Sequence, residues 1–264
     1  MFFIAFMEFG LILIAFVQGI IEWLPISSST HIKILESLFN YKSDIFFGVS
    51  LHFGTLMACF IYFGRDIIKI LKELISFNFK SKNGRLGILL IVASLPIALA
   101  GFLFNHFFSG REAGWFIIAF GLIITSLLLF SASFYKAKRK VGLYELKYGK
   151  SFFIGVLQAL SVVPGISRSG SSISGGIFSD FNERDAFKFS FLLSIPAIFG
   201  ANILLIGNTP IPSEYFLPSF VSFLTGLFGI HFSYNYIMNS RKNYRIFGVY
   251  TLLLAILIFA LAVF

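Results

Sequence analysis

The residues with the types and spacing for chemistry lie in two short polar stretches of an apolar chain. The first, QGIIEWLPISSSTH at 18–31, places a carboxylate, a proline, four hydroxyls and a histidine close together. Gln18 and Glu22 are four residues apart, so both side chains lie on one face of a helix. Ser28 is the candidate nucleophile, and His31, one helical turn later, is the candidate base or the acid for a leaving group.

The second stretch, PGISRSGSSISGG at 164–176, has the composition of a phosphate cradle. Arg168 offers a rigid fork of N–H donors that matches phosphate oxygens. Small residues around it let backbone N–H groups converge on an anion at the start of a helix. We therefore predict Arg168 as catalytic, with further substrate contacts from the first and second stretches, namely Gln18, Ser27, Ser167, Ser169, Gly170 and Ser172.

Both stretches also have a purely structural interpretation. In the first, one hydroxyl would cap a helix and Glu22 would pair with a basic residue. In the second, small residues would allow close helix packing while Arg168 pairs with Glu22. Capping needs one hydroxyl rather than four, and neither structural role requires a nearby histidine, so we favour a site. The nucleophile stays open among Ser28, a water oriented by His31 and Glu22, and His31 itself.

The overall composition is that of an integral membrane protein. Of the 264 residues, 57% are hydrophobic and only 12% are charged, with a mean hydropathy of +0.88. The formal charge of +9 does not indicate nucleic-acid binding, because the basic residues lie in short loops between apolar runs. We predict an all-α protein with a single membrane domain over 1–264.

Six apolar segments are long enough to cross about 30 Å of hydrocarbon, which takes roughly 20 residues. They are residues 48–64, 86–107, 113–135, 187–207, 216–238 and 245–263. Two other regions, 6–39 and 150–179, are interrupted by Pro25 and by Pro164 with Gly165. Each is predicted to be a re-entrant helical hairpin, a structure that membranes tolerate only where protein or a water-filled cavity surrounds the break.

Loop charge predicts the topology. Basic residues concentrate in the loops at about 65–85, 136–150 and 241–245, which six crossings place on one side, the cytoplasm. Both termini are then outside, and the two hairpins enter from opposite sides. Residues 17–29 resemble residues 157–169, so we predict an inverted repeat, the first copy over about 1–135 and the second over about 150–264. Inverted repeats bring broken helices together near the membrane midplane.

The two stretches carry a family resemblance over nearly the whole chain. The chain resembles the undecaprenyl-diphosphatase family, also called the bacitracin-resistance protein family. The first motif of that family corresponds here to Gln18, Glu22, Pro25, Ser27, Ser28 and His31, and the second corresponds to Pro164, Gly165, Ser167, Arg168, Ser169 and Ser172. Gln18 is the neutral option where many members have Glu, and Ser172 replaces the usual Thr.

The resemblance implies hydrolysis of undecaprenyl diphosphate to the monophosphate and inorganic phosphate, which recycles the lipid carrier of cell-wall synthesis. It implies a multi-pass protein of the cell membrane whose partners are a polyprenyl diphosphate and membrane lipids. A divalent cation, Mg²⁺ or Ca²⁺, would be held through Glu22 and more weakly through Gln18, because charge neutralisation dominates phosphoryl transfer. Family resemblance also suggests that the site opens outward. The sequence leaves open the metal, the prenyl chain length and the oligomeric state, a homo-oligomer included.

Other functions compete with hydrolysis. A transporter or flippase of a polyprenyl phosphate would use the same inverted-repeat site. A phosphatidic-acid phosphatase type of enzyme is disfavoured, because Ser174 stands where that family has a histidine. A scaffold would not require polar clusters in both broken helices. Among the isolated histidines, His52 is the one that can reach the site, from the first crossing.

Overall fold

The chain folds as a bundle of α-helices in the computed structural model, which describes residues 2–41, 44–108, 113–137, 139–206, 212–237 and 240–263. Within those ranges the helices are α1 Phe2–Ile21, α2 Ser28–Leu38, α3 Ile45–Tyr62, α4 Gly64–Ile75, α5 Lys82–Phe108, α6 Trp115–Phe134, α7 Tyr148–Ala159, α8 Arg168–Phe178, α9 Glu183–Ile206, α10 Phe216–Phe232 and α11 Arg241–Val263. The β-pairing in the same ranges is an isolated bridge between Val141 and Phe181.

Among the described residues, six helices are long and apolar enough to cross a membrane: α3, α5, α6, α9, α10 and α11. They correspond one to one with the six segments that hydropathy predicted, and the protein is therefore a multi-pass membrane protein. Their outward faces carry large apolar side chains, for example Phe120 on α6 and Leu257 on α11. Such faces suit contact with lipid chains.

The remaining apolar helices form two interrupted units. The first broken unit is α1 and α2 with the break at 22–27, and the second is α7 and α8 with the break at 160–167. The chain turns because prolines in both breaks lack an N–H and because two residues take positive φ, Ser27 at 65° and Gly165 at 93°. At 11 residues each, α2 and α8 are about 16 Å long, well short of a bilayer.

Each broken unit packs its longer arm against a spanning helix from the other half of the chain. Helix α1 packs on α10, and α7 packs on α5. Glycine makes both approaches close: a β-carbon at Gly19 would lie 2.6 Å from the Ser222 carbonyl oxygen, and one at Gly155 would lie 2.1 Å from that of Ala93. The two halves of the chain are therefore interlocked.

The interior beneath the breaks is aromatic. Trp23, the residue after Glu22, is fully buried with its ring centroid 4.7 Å from that of Phe191 on α9. Phe191 in turn stacks on Phe187 at 3.9 Å. Because Trp23 is fixed in this core, the break that follows α1 has a fixed position against α9.

Helix α4 is amphipathic. Its Ile67 and Ile70 are buried, while Ile68, Leu71 and Ile75 are exposed. The Lys188 ammonium of α9 lies 2.8 Å from the Asp66 carboxylate and fastens α4 to the bundle.

Candidate active site

Glu22 is the centre of a buried polar cluster at the first break. Its side chain is only 4% exposed. The Oε2 atom accepts hydrogen bonds from Gln18 Nε2 at 3.0 Å and from Ser28 Oγ at 2.6 Å. The Oε1 atom accepts from Arg168 Nη2 at 2.7 Å and lies 3.7 Å from His52 Nδ1. One carboxylate therefore gathers groups from α1, α2, α3 and α8.

Arg168 brings the second broken unit to the first. It is the opening residue of α8, and its side chain is 16% exposed. Next to it, Ser169 Oγ donates to the Leu24 carbonyl oxygen at 2.9 Å. The two polar stretches, predicted to meet, are thus in direct contact through an ion pair and a hydrogen bond. The pairing of Arg168 with Glu22 is also the one that the structural interpretation expected.

Arg168 retains donors for an anion. A guanidinium carries five N–H groups, and the contact with Glu22 uses Nη2. The first turn of α8 is already capped, because Ser167 Oγ accepts from the Gly170 backbone N–H at 3.1 Å. Phosphate oxygens would therefore bind the remaining guanidinium donors of Arg168 more readily than the backbone of α8.

Helix α2 begins differently, because its N-cap residue does not cap it. The Ser27 side chain makes no capping bond, and its hydroxyl lies 3.0 Å from Thr30 Oγ1 and 3.3 Å from Ser29 Oγ. The first backbone N–H groups of a helix lack partners within the helix and favour a negative charge. The start of α2, at Ser28, is thus suited to a phosphate oxygen.

Ser28 and His31 do not contact each other, although their spacing suggested a nucleophile and base pair. Ser28 Oγ donates to Glu22 instead. The left-handed backbone of Ser27 places the start of α2 so that the Ser28 hydroxyl is directed back at the carboxylate. The basic atom nearest the candidate nucleophile is therefore an oxygen of Glu22.

His31 is held by its own two partners. Its Nδ1 lies 2.8 Å from the Ser27 carbonyl oxygen and its Nε2 lies 2.6 Å from the Tyr250 hydroxyl. A carbonyl oxygen can only accept, which assigns the ring proton to Nδ1 and makes Nε2 the acceptor from Tyr250. The two rings are also stacked, at 5.7 Å and 11°.

Ser172 lies away from the carboxylate. Its hydroxyl contacts the Arg168 carbonyl oxygen at 2.8 Å and Ser190 Oγ at 2.6 Å, and the residue is fully buried. These contacts connect α8 to α9. The role of Ser172 in binding substrate stays a prediction, as do the roles of Ser27, Ser167, Ser169 and Gly170.

Sequence reasoning missed three residues that organise the site. Tyr250 holds His31, Ser190 holds Ser172, and Thr125 accepts from the Ser167 N–H at 2.9 Å while donating to the Gly165 carbonyl oxygen at 3.2 Å. All three lie in long apolar segments, where a single hydroxyl gives no signal of function. His52, the histidine singled out from the sequence, does reach the cluster.

The two glutamines related by the sequence repeat have different environments. Gln18 contacts Glu22 and His52, but its Oε1 is buried without a hydrogen-bond partner in the described part of the chain. Gln158 is fully buried, and in the same part of the chain both of its amide atoms lack partners. Of these two glutamines, Gln18 is the one that joins the Glu22 cluster.

The donor set at Glu22 accommodates a hard cation only in part. The described residues contain no group of three His, Cys, Asp or Glu side chains placed to hold a metal ion. Oxygen atoms are nevertheless present: the Glu22 carboxylate, the Ser28 hydroxyl that donates to it, and the unpartnered Oε1 of Gln18, whose Nε2 donates to the same carboxylate. Mg²⁺ commonly binds through one or two protein oxygens together with substrate phosphates and water, so the residues fit a cation that is shared with substrate.

A cavity of about 560 Å³ lies between α2, the helix that follows the first break, and the second break itself. Ser29 and Thr30 line it from the first broken unit, and Pro164 and Gly165 line it from the second. Its other polar lining comes from Lys33 and from residues at the far end of α2 and before α3, namely Glu36, Ser37, Asn40, Tyr41 and Asp44. The cavity thus extends from the start of α2 and the second break toward the connection between α2 and α3.

Fold and site together define a class: a multi-pass membrane protein in which a serine hydroxyl, a carboxylate and a guanidinium converge, groups that are suited to phosphoryl transfer. The profile of the family described as bacitracin resistance protein BacA matches residues 11–257. The chain belongs to that family.

Individual relatives agree over nearly their whole length. A protein of Methanococcus vannielii is 34% identical over 247 residues, covering 94% of this chain and 97% of the relative. One of Thermosipho africanus is 34% identical over 248 residues, with 94% and 98% covered. One of Thermosipho melanesiensis is 35% identical over 250 residues, with 95% and 98% covered. Each is named undecaprenyl-diphosphatase, which confirms the family that the motifs indicated.

Proposed function

We propose that this protein hydrolyses undecaprenyl diphosphate to undecaprenyl phosphate and inorganic phosphate at the Glu22 cluster. The observation that carries the proposal is the convergence of Ser28 and Arg168 on one buried carboxylate, at 2.6 and 2.7 Å. Family membership and the names of the relatives point to the same reaction. A membrane fold gives the prenyl tail access from the lipid.

In the proposed first step, Ser28 Oγ attacks the terminal phosphorus. A bond forms between Oγ and phosphorus while the bridging phosphorus–oxygen bond breaks, and undecaprenyl phosphate leaves. Glu22 Oε2 takes the hydroxyl proton, because it already accepts that hydrogen bond. Water then hydrolyses the phosphoserine to release inorganic phosphate, and Ser28 regains its proton.

Arg168 and the start of α2 stabilise the charge that spreads over the phosphoryl oxygens. The guanidinium supplies the N–H donors that Glu22 does not occupy, and α2 supplies its uncapped backbone N–H groups. His31, one turn along α2, is the proposed acid for the leaving group in its protonated state, in which Nε2 also carries a proton and Tyr250 accepts from it instead of donating.

A divalent cation, Mg²⁺ or Ca²⁺, is part of the proposal. Glu22 and Gln18 Oε1 would hold it together with diphosphate oxygens, and it would supply charge neutralisation during phosphoryl transfer. The unpartnered state of Gln18 Oε1 supports this placement. Calorimetric titration of Ca²⁺ in the presence of a non-hydrolysable diphosphate, with Gln18→Leu as the comparison, tests cation binding separately from turnover.

The membrane arrangement is proposed from the charge pattern and the packing. Both broken units would be re-entrant hairpins in an inverted repeat, which the crosswise packing of α1 on α10 and α7 on α5 supports. Both termini would lie outside. The site would open outward, because a cavity that begins at Ser29, next to Ser28, extends to Glu36 and Asp44, in and beside the connection that the charge pattern places outside.

Phosphate release by purified protein from a panel of prenyl diphosphates, with and without divalent metal, tests the reaction. We expect Ser28→Ala to lower kcat about a thousandfold or more, as nucleophile removal does elsewhere. Arg168→Lys should lower kcat/KM about 10- to 100-fold, because a lysine lacks the planar fork and charged hydrogen bonds contribute about 1.5–3 kcal/mol each. Ser131→Ala, at an exposed position on α6, is the matched control.

Two results would contradict the proposal. Wild-type protein that moves the lipid across a bilayer without releasing phosphate would be a transporter. Full phosphate release by Ser28→Ala would exclude Ser28 as the nucleophile. A trapped phosphoenzyme separates the remaining chemistries, since phosphoserine survives acid, phosphohistidine does not, and direct attack by water leaves no phosphoenzyme.

A further inference from the structure

We propose that His52 is a positioning residue that acts through Gln18 to hold the Glu22 carboxylate against Ser28. The inference deepens the proposed function, on which it rests, by assigning a role to a residue outside the two polar stretches. His52 lies on α3, which contributes nothing else to the cluster around the carboxylate.

Gln18 connects the imidazole to the carboxylate. Its Nε2 lies 3.0 Å from Glu22 Oε2 and 3.2 Å from His52 Nδ1. A carboxamide nitrogen carries two N–H donors, one for each of these acceptors. Gln18 is fully buried, so no solvent contact competes for either donor.

The donors and acceptors around Gln18 fix the orientation of its side-chain amide. Turning the carboxamide over would place Gln18 Oε1 against the Glu22 carboxylate oxygen, two acceptors with no proton between them. Nε2 therefore faces the carboxylate, and His52 Nδ1 accepts the second N–H. The ring proton of His52 then lies on Nε2.

The orientation of Gln18 depends on few contacts. Its Oε1 has no partner in the described part of the chain, so the bonds to Glu22 and His52 restrain the amide. Loss of the His52 acceptor would free the amide to rotate. Glu22 Oε2 would then keep one hydrogen bond, the one from the Ser28 hydroxyl that it must deprotonate.

The histidines elsewhere in the described chain provide controls. His106 is exposed on α5 with its ring beside Phe102, and His231 contacts Tyr62 and Asn235. Neither contacts the Glu22 cluster. His106→Phe is therefore the matched control for His52→Phe, because it makes the same substitution at a position remote from the Glu22 cluster.

The experiment compares steady-state phosphate release by wild type, His52→Phe, His52→Asn, Gln18→Leu and the double variant His52→Phe/Gln18→Leu. Phenylalanine keeps the ring volume without an acceptor. Asparagine places a carbonyl oxygen near the position of Nδ1. We expect His52→Phe to lower kcat about tenfold, the upper range for one hydrogen bond. KM should change less than twofold, because His52 does not contact Arg168 or the start of α2, the groups proposed to donate hydrogen bonds to the diphosphate. His52→Asn should recover most of the rate.

The double variant separates positioning from a general loss of packing. If His52 acts through Gln18, adding His52→Phe to Gln18→Leu costs no further activity. Additive effects in the double variant would overturn the proposal, as would unchanged kcat in His52→Phe or failure of His52→Asn to recover activity. Thermal unfolding in detergent identifies a misfolded variant, and His52→Leu then replaces His52→Phe. Wild-type protein that releases no phosphate refutes the proposed function instead, before any variant is compared.

Discussion

At the residue scale, the site is a set of hydrogen bonds whose direction can be assigned. Glu22 only accepts, so Gln18, Ser28 and Arg168 must all donate to it. His31 donates to a carbonyl oxygen and accepts from Tyr250. Glu22, the proposed base for Ser28, and His31, the proposed acid for the leaving group, therefore have separate hydrogen-bond partners.

Tyr250→Phe should lower turnover without disturbing the fold. The ring stack on His31 is preserved while the 2.6 Å hydrogen bond to Nε2 is lost. One hydrogen bond contributes about 0.5–1.5 kcal/mol, so we expect a two- to tenfold fall in kcat. Steady-state phosphate release measures the change. Tyr236→Phe, at an exposed tyrosine, should leave kcat unaltered; a Tyr250→Phe enzyme with wild-type kcat would contradict the role given to Tyr250.

At the element scale, the two breaks rely on different devices. The break of the second unit is held by hydrogen bonds: Thr125 fixes the Gly165 carbonyl and the Ser167 N–H, and Ser167 caps α8. The break of the first unit instead contains a serine with left-handed backbone, which costs roughly 1–2 kcal/mol. Strain of this kind persists at sites where surrounding structure imposes it. The candidate nucleophile, Ser28, directly follows the break that contains this strained serine.

Gly165→Ala should destabilise the protein severely. A β-carbon there would lie 2.2 Å from the Ile118 carbonyl oxygen, and φ is 93°. Left-handed strain and overpacking together predict a loss of about 2–5 kcal/mol. The thermal unfolding midpoint in detergent reports it.

Gly101→Ala is the control, because a β-carbon at that helical position of α5 meets no atom within 4 Å. Its unfolding midpoint should equal or exceed that of wild type. Equal midpoints for Gly165→Ala and Gly101→Ala would show that the backbone at the second break relaxes without cost.

At the scale of the whole molecule, spanning helices enclose a polar site that their apolar outer faces isolate from lipid. Ion pairs join helix ends on the side that the charge pattern proposes as cytoplasmic, namely Lys188 with Asp66 and Arg241 with Glu183. These pairs are partly exposed and contribute little stability individually. They fasten α9 to α4 and α11 at one end of the bundle.

Topology can be measured with single cysteines. Cys59 is the only cysteine of the sequence and is fully buried, so the unmodified protein should react weakly with thiol reagents. A membrane-impermeant maleimide should label Ser213→Cys in intact cells and Ser81→Cys only after lysis. Labelling of Ser81→Cys in intact cells would reverse the proposed orientation of the protein.

The parts of the fold that depend on composition were predictable from the sequence. Six long apolar segments predicted the spanning helices, and Pro25 and Pro164 predicted the positions of the two breaks. Contacts were harder to predict. The spacing of Ser28 and His31 suggested a pair, but the positive φ of Ser27 directs the Ser28 hydroxyl to Glu22. Tyr250 lies 219 residues from His31, and only tertiary packing brings them together.

The ion pair between Glu22 and Arg168 makes the two halves of the chain interdependent. The partners are 146 residues apart, and each arises from a different half. Removing one partner of a buried pair typically costs about 3–5 kcal/mol, because a lone charge is left in apolar surroundings. Two separately expressed fragments, cut within the loop that joins α6 to α7, would each carry such an unpaired charge. Fragment reassembly would therefore be favoured by the same contact that completes the candidate active site.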